Sequence, residues 1–356
     1  MTDAVKIDAH TGSEPMRRDR RFRVFASLIA ISAFLLLYSQ EQDIWAALFR
    51  VGLSYSMVAL PIIGSYIACE FILLRLLAMR KSKPDTQDAG WYRTYFANFR
   101  WSDIVTGSIA LCVTLTCFSV FKSAVVGANG YLYDDLFVAW DRAILGRDAW
   151  EITHAILPSA VAMKWIDALY HPLFLPMILG YLICVSADKK PALRYTYMLS
   201  YLASYVIIGM AMAAAMSSAG PIFEGTVFGD GTVFAAFHER QEAQNEASGP
   251  FTFLLISKYL LNIYTSNEAQ FAGGISAMPS MHIVLAWLCV FAAWHLGRIV
   301  GVAFTVYGFC IWFGSVHLGW HYFVDGLVAL IVLTVIWRVV GRLMGLYGPQ
   351  TTRATT

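Results

Sequence analysis

The chain has 356 residues, 58% of them hydrophobic and only 14% charged, with a formal net charge of +2. A soluble domain carries about 25% charged residues, so much of this surface is built to face something other than water. No basic stripe is present, and without one there is no electrostatic footprint for a nucleic-acid partner.

A helix that crosses a bilayer needs about 20 mostly apolar residues. Along the chain such runs fall at Phe22–Tyr38, Val51–Met79, Asp103–Val125, Asp167–Ala187, Tyr195–Ser218, Met281–Leu296, Ile299–Val316 and Tyr322–Leu343. The expected fold is therefore an all-α integral membrane protein with about eight transmembrane helices. Residues 1–21 form a basic tail, 22–102 two accessory spans and a cytoplasmic loop, 103–343 a core of six spans, and 344–356 a C-terminal tail. Arg17, Arg18, Arg20, Arg21 and Arg23 precede the first span, and no small-residue cleavage site follows Tyr38, so that span reads as a retained anchor.

Basic residues recur in alternate loops: Arg80, Lys81 and Lys83, then Lys189, Lys190 and Arg194, then Arg298. The intervening loops lean acidic. The positive-inside rule then places both termini in the cytoplasm, and a bacterial inner (plasma) membrane is the expected location. Two outer loops, residues 126–166 and 219–280, are long. They contain amphipathic stretches at Leu136–Ile144 and Trp150–Leu157 and an apolar one at Phe251–Tyr264. Loops of that length over a helical bundle predict a lid or a substrate-reading surface. The six cysteines all lie in apolar runs without metal-ligand spacing and read as buried hydrophobes.

Ionisable groups in or beside spans are costly to hold there and are candidates for function. One cluster, Ser276 to His282, opens the sixth span. Another, Gly314 to Asp325, joins the seventh to the eighth. The chain crosses inward and returns between them, so His282 and His321 end on the same side at similar depth. His321 and Asp325 are four apart and share a face if both are helical. A carboxylate on one imidazole nitrogen fixes the tautomer and leaves the other nitrogen free to attack. A second histidine can protonate the leaving group and later activate water. Pro279 and Ser280 suit a helix N-terminus, where a hydroxyl and free N–H groups favour phosphate. The same pair four apart also serves simply to stabilise a helix, and spacing alone does not separate the two readings.

Met278-Pro279-Ser280-Met281-His282 followed by His321-Tyr322-Phe323-Val324-Asp325 resembles the type 2 phosphatidic acid phosphatase superfamily, and most closely its inositol phosphorylceramide synthase-like branch. The resemblance implies a six-helix catalytic core, here residues 103–343, with its site at the outer face. It implies His321 as nucleophile, Asp325 as its orienter and His282 as general acid and base, with Ser280 and Met281 at a phosphate oxygen. The substrate implied is a lipid phosphate drawn from the bilayer, with no cofactor and no metal.

The sequence departs from the family pattern where its cations should be. Ser315 and Gly314 stand at the third motif's Arg and Ser. If Pro221 matches the first motif's proline, Gly220 and Ala213 replace its Arg and Lys. Developing phosphoryl charge needs compensation. The outer-side candidates are Lys122, Arg142, Arg147, His171, Lys258 and His317, with Lys122 and Arg142 favoured. His317 either faces the site or caps a helix. The Asp167–His171 pair reads as structural, and His295, at the cytoplasmic end, carries no chemistry. A phosphotransferase acting on a lipid alcohol is the nearest alternative. A transporter is the alternative of another class, and it would place its polar groups at mid-membrane.

Overall fold

A computed structural model of the chain describes residues 45–46, 48–58, 61, 64–65, 68, 101–123, 130–174, 178, 190–266 and 270–347. Beside a helical stretch at 48–58, ten helices dominate the described residues: α1 (Trp101–Phe121), α2 (Asp134–Leu145), α3 (Ala149–Ile156), α4 (Ala160–Tyr170), α5 (Pro191–Ala215), α6 (Ala235–Ser248), α7 (Thr252–Ser266), α8 (Met281–Leu296), α9 (Arg298–His317) and α10 (Phe323–Met344). No strand is formed among the described residues.

Three of these helices, α5, α9 and α10, are long and apolar enough to cross a membrane. Helix α8 and the stretch Cys112–Phe121 are apolar but shorter. The first predicted span, Phe22–Tyr38, lies outside the described residues, as do most of the second and fourth. The fourth does not begin at Asp167 as expected. Helix α4 ends at Tyr170, and a turn over residues 171–173 separates it from the helical residue Phe174.

Helix α8 is the centre of the bundle. It is apolar on every side, and nine of its sixteen residues, among them Ile283, Val284, Ala286, Cys289 and Ala293, are buried. A helix without a polar face stays in an apolar interior. It packs against α5, α9 and α10. Helix α10 instead has two apolar faces. Ala329, Leu333 and Trp337 turn inward, whereas Ile331, Val335 and Val339 form an exposed stripe at helical spacing. That stripe is costly in water and favourable in lipid.

Helix α5 passes through a π-helical section at Tyr205–Met212. Such sections are rare and concentrate at functional sites. The section packs on Phe118 of α1 and Met281 of α8. Helices α2, α3, α4, α6 and α7 come from the two predicted outer loops, and α2 through α4 are amphipathic.

Candidate active site

The ends of α1, α5 and α9 and the starts of α8 and α10 meet at one pole of the bundle. Between them lies a cavity of about 240 Å³, lined by Lys122, Tyr170, His171, Met281, His282 and His321 among mostly apolar neighbours. The His282 and His321 rings have centroids 6.3 Å apart. His282 is held by stacking on Tyr170, with centroids 4.5 Å apart, and by Phe174 at 4.6 Å. No hydrogen bond to its ring nitrogens occurs among the described residues.

His321 does not lie on a helix. It precedes Tyr322, the N-cap of α10, and Asp325 is the third residue of that helix. The pair therefore forms around a helix start, not along a helix face. His321 Nδ1 lies 3.1 Å from Asp325 Oδ2, and the same oxygen accepts the Tyr322 N–H at 3.1 Å. A carboxylate partner puts the proton on Nδ1 and leaves the Nε2 lone pair on the other edge of the ring. Burial pushes the His321 pKa down to about 3, the charge of Lys122 adds to this, and the Ala277 carbonyl opposes it. The imidazole is thus neutral at neutral pH, the form a nucleophile requires.

The turn carrying His321 is clamped from two directions. The Ser315 carbonyl accepts the N–H groups of Trp320 and His321 at 3.0 and 3.2 Å. From α2, two carboxylates reach across. Asp134 accepts the Tyr322 hydroxyl at 2.9 Å and the Ala219 and Gly220 N–H groups. Asp141, two turns further along α2, accepts the Phe323 and Val324 N–H groups at 2.8 and 2.9 Å and so caps α10. Burial raises the Asp134 pKa against these donors and pushes Asp141 up to about 7. Neither residue stands out in the sequence, because the contacts span more than 80 and more than 180 positions.

Other candidates fall elsewhere. Arg142 is a correction: its guanidinium binds Asp148 with Nε 2.6 Å from Oδ1, its side chain is 49% exposed, and it is not at the cavity. His317 is fully buried away from the cavity, with its ring 4.1 Å from that of His154 and stacked on Phe313. The Ser280 hydroxyl is buried and accepts the Ile283 N–H at 3.4 Å, so it caps α8 and does not line the cavity. Met281 lines the cavity as an apolar side chain. Lys122 does reach the wall, lying along Gly274 and over the Phe118 ring at 5.7 Å.

If Pro221 matches the first motif's proline, positions 220 and 315 are where the resemblance would place arginines, and both are tightly enclosed. Gly220 has φ +95°, and a Cβ there would stand 2.5 Å from the Trp320 carbonyl oxygen, so no larger residue fits that backbone. Ser315 is fully buried, with its hydroxyl donating to the Trp312 carbonyl at 2.7 Å.

The sequence model of the PAP2 superfamily matches residues 135–339, more than half of the chain. The chain belongs to the PAP2 superfamily. That is the type 2 phosphatidic acid phosphatase superfamily, whose membership points to phosphatase or phosphotransferase chemistry. The PAP2 match takes in His282, His321 and Asp325, and Lys122 lies outside it. No curated protein and no solved structure matches the chain.

Proposed function

We propose that this PAP2 protein cleaves a lipid phosphate ester, or transfers its phosphoryl group, through a phosphohistidine on His321. The observation that carries this reading is the facing pair of imidazoles, centroids 6.3 Å apart across a shared cavity, one of them oriented by a buried carboxylate. A phosphate bound in this cavity would have both rings as neighbours.

In the first step His321 Nε2 forms a bond to phosphorus, the bond from phosphorus to the ester oxygen breaks, and His282 gives a proton to the departing alcohol. In the second, His282 takes a proton from water, whose oxygen attacks phosphorus. The phosphorus–nitrogen bond breaks and inorganic phosphate leaves. Asp325 steadies the positive imidazole, and Lys122 offsets charge on the phosphoryl oxygens. The site would face the outside of the membrane, with both termini in the cytoplasm.

The apolar wall formed by Phe118, Phe223, Ile256 and Leu260 supports a second version, in which a lipid alcohol replaces water as acceptor. A transporter is disfavoured, because the cavity histidines, Asp325 and Lys122 gather at one pole of the bundle, whereas the buried polar residues half-way along α5, among them Ser200, Tyr201 and Ser204, are uncharged. The test is product analysis by mass spectrometry, with purified protein given mixed lipid phosphates with and without lipid alcohols. Wild type should release phosphate or form an exchanged lipid, and folded His321→Ala should do neither. Equal turnover by that variant would defeat the proposal.

A further inference from the structure

The cavity would hold a phosphate dianion, yet Lys122 is the one Lys or Arg side chain lining it among the described residues. A second group on the same wall has the chemistry to help. We propose that His171 binds the substrate phosphate beside Lys122, with Asp167 as its positioning residue, so that the two take the place of the missing motif cations. This rests on the proposed reading of the cavity.

His171 sits in the turn after α4, its side chain 8% exposed, with Nδ1 2.8 Å from Asp167 Oδ1. Its ring borders the cavity, edge-on to Trp320 at 5.6 Å and to Tyr170 at 4.9 Å. The arrangement repeats that of His321 and Asp325: an imidazole and a carboxylate four residues apart, joined through Nδ1, with the far edge of the ring turned from the carboxylate. A proton taken up on Nε2 makes an imidazolium balanced by Asp167 and able to donate a charge-assisted bond to a phosphate oxygen. The titratable groups facing His171 are Asp167 and Tyr170 on α4, His282 on α8, His321 before α10 and Lys122 after α1.

Asp167 is itself fixed from outside. Its oxygens accept the Thr252 and Phe253 N–H groups at 2.6 and 3.0 Å, at the start of α7. Those bonds join α4 to α7 without passing through the His171 ring. Helix α7 also lends Ile256 and Leu260 to the cavity wall. The seating of this outer helix and the aim of the His171 ring therefore share one carboxylate.

The test uses sulfate, a tetrahedral dianion that does not titrate near neutral pH, as a competitive inhibitor of lipid phosphate hydrolysis by the purified full chain. His171→Gln and His171→Ala should weaken sulfate about tenfold or more, as loss of a charged hydrogen bond does, and Asp167→Asn should fall between them and wild type. The thermal midpoint of His171→Gln should stay at the wild-type value. His321→Asn should lose turnover but keep sulfate binding, read as thermal protection. Sulfate binding by His171→Gln within twofold of wild type, with turnover intact, overturns the role of His171 and leaves the function reading standing. A wild type that neither releases phosphate nor binds sulfate overturns both.

Discussion

The Tyr322 hydroxyl donates to Asp134 Oδ1 at 2.9 Å, joining residues 188 positions apart. Through that bond α2 holds the residue next to His321. Tyr322→Phe removes the donor and leaves a buried carboxylate with backbone partners only, at a cost of about 1–3 kcal/mol. The expected result is a kcat about tenfold lower with KM within about twofold, because the proposed nucleophile, His321, is misplaced while the cavity wall is kept. Steady-state kinetics beside thermal unfolding in detergent checks both parts.

His321 and Asp141 give opposite pH dependences to stability. The folded His321 pKa is about 3, below about 6.5 when unfolded. The unfolded chain then binds more protons, and this contribution is full above pH ~6.5 and lost as pH falls toward 3. The folded Asp141 pKa is about 7, above about 3.9 when unfolded. Its contribution is full below pH ~3.9 and lost as pH rises through 7. Between pH ~4 and ~6.5 the two oppose each other. Compared with wild type, His321→Asn should lose stability more steeply as pH rises and Asp141→Asn should gain it, each difference at most ~1.4 kcal/mol per pH unit. Denaturation midpoints measured across that range decide the matter, and parallel curves for all three proteins would contradict the assignment.

Placing an arginine at position 220, where the first motif has one if Pro221 matches its proline, should fail. Gly220→Ala already forces a Cβ against the Trp320 carbonyl at a positive φ, a strain of about 1–3 kcal/mol. Lower stability and lower turnover are expected, and Gly220→Arg should not gain affinity for sulfate. Inhibition constants and unfolding midpoints for the two variants provide the check.

Lys122 and Arg142 should separate cleanly. Lys122→Met removes charge from the cavity wall and should lower kcat/KM about a hundredfold. Arg142→Ala, which breaks only an exposed pair with Asp148, should stay within about twofold, since such pairs contribute about 0–1 kcal/mol to stability. Parallel assays on one lipid phosphate suffice.

What the sequence makes legible is what lies close together in it. The α8 to α10 segment is apolar, sharply bounded by Gly297 and by the turn before Tyr322, and its helices match the predicted spans to within a residue or two. His282, His321 and Asp325 are locatable because a hairpin must return them to one pole. Asp134 and Asp141 are not, since their partners lie far along the chain and any acidic outer loop offers similar residues. His171 reads as half of an ordinary helix pair until the turn after Tyr170 swings it to the cavity. Arg142 looks suitable by position, yet Asp148, six residues on, takes its guanidinium.

The proposed attack by His321 can be tested directly. An aryl phosphate has a leaving group that needs no proton, so His282→Gln should still be phosphorylated by it but should turn over slowly. Alkaline quench followed by peptide mass spectrometry should then find a phosphoryl group on His321. Phosphate on another residue, or none while wild type turns over the same compound, would contradict attack by His321.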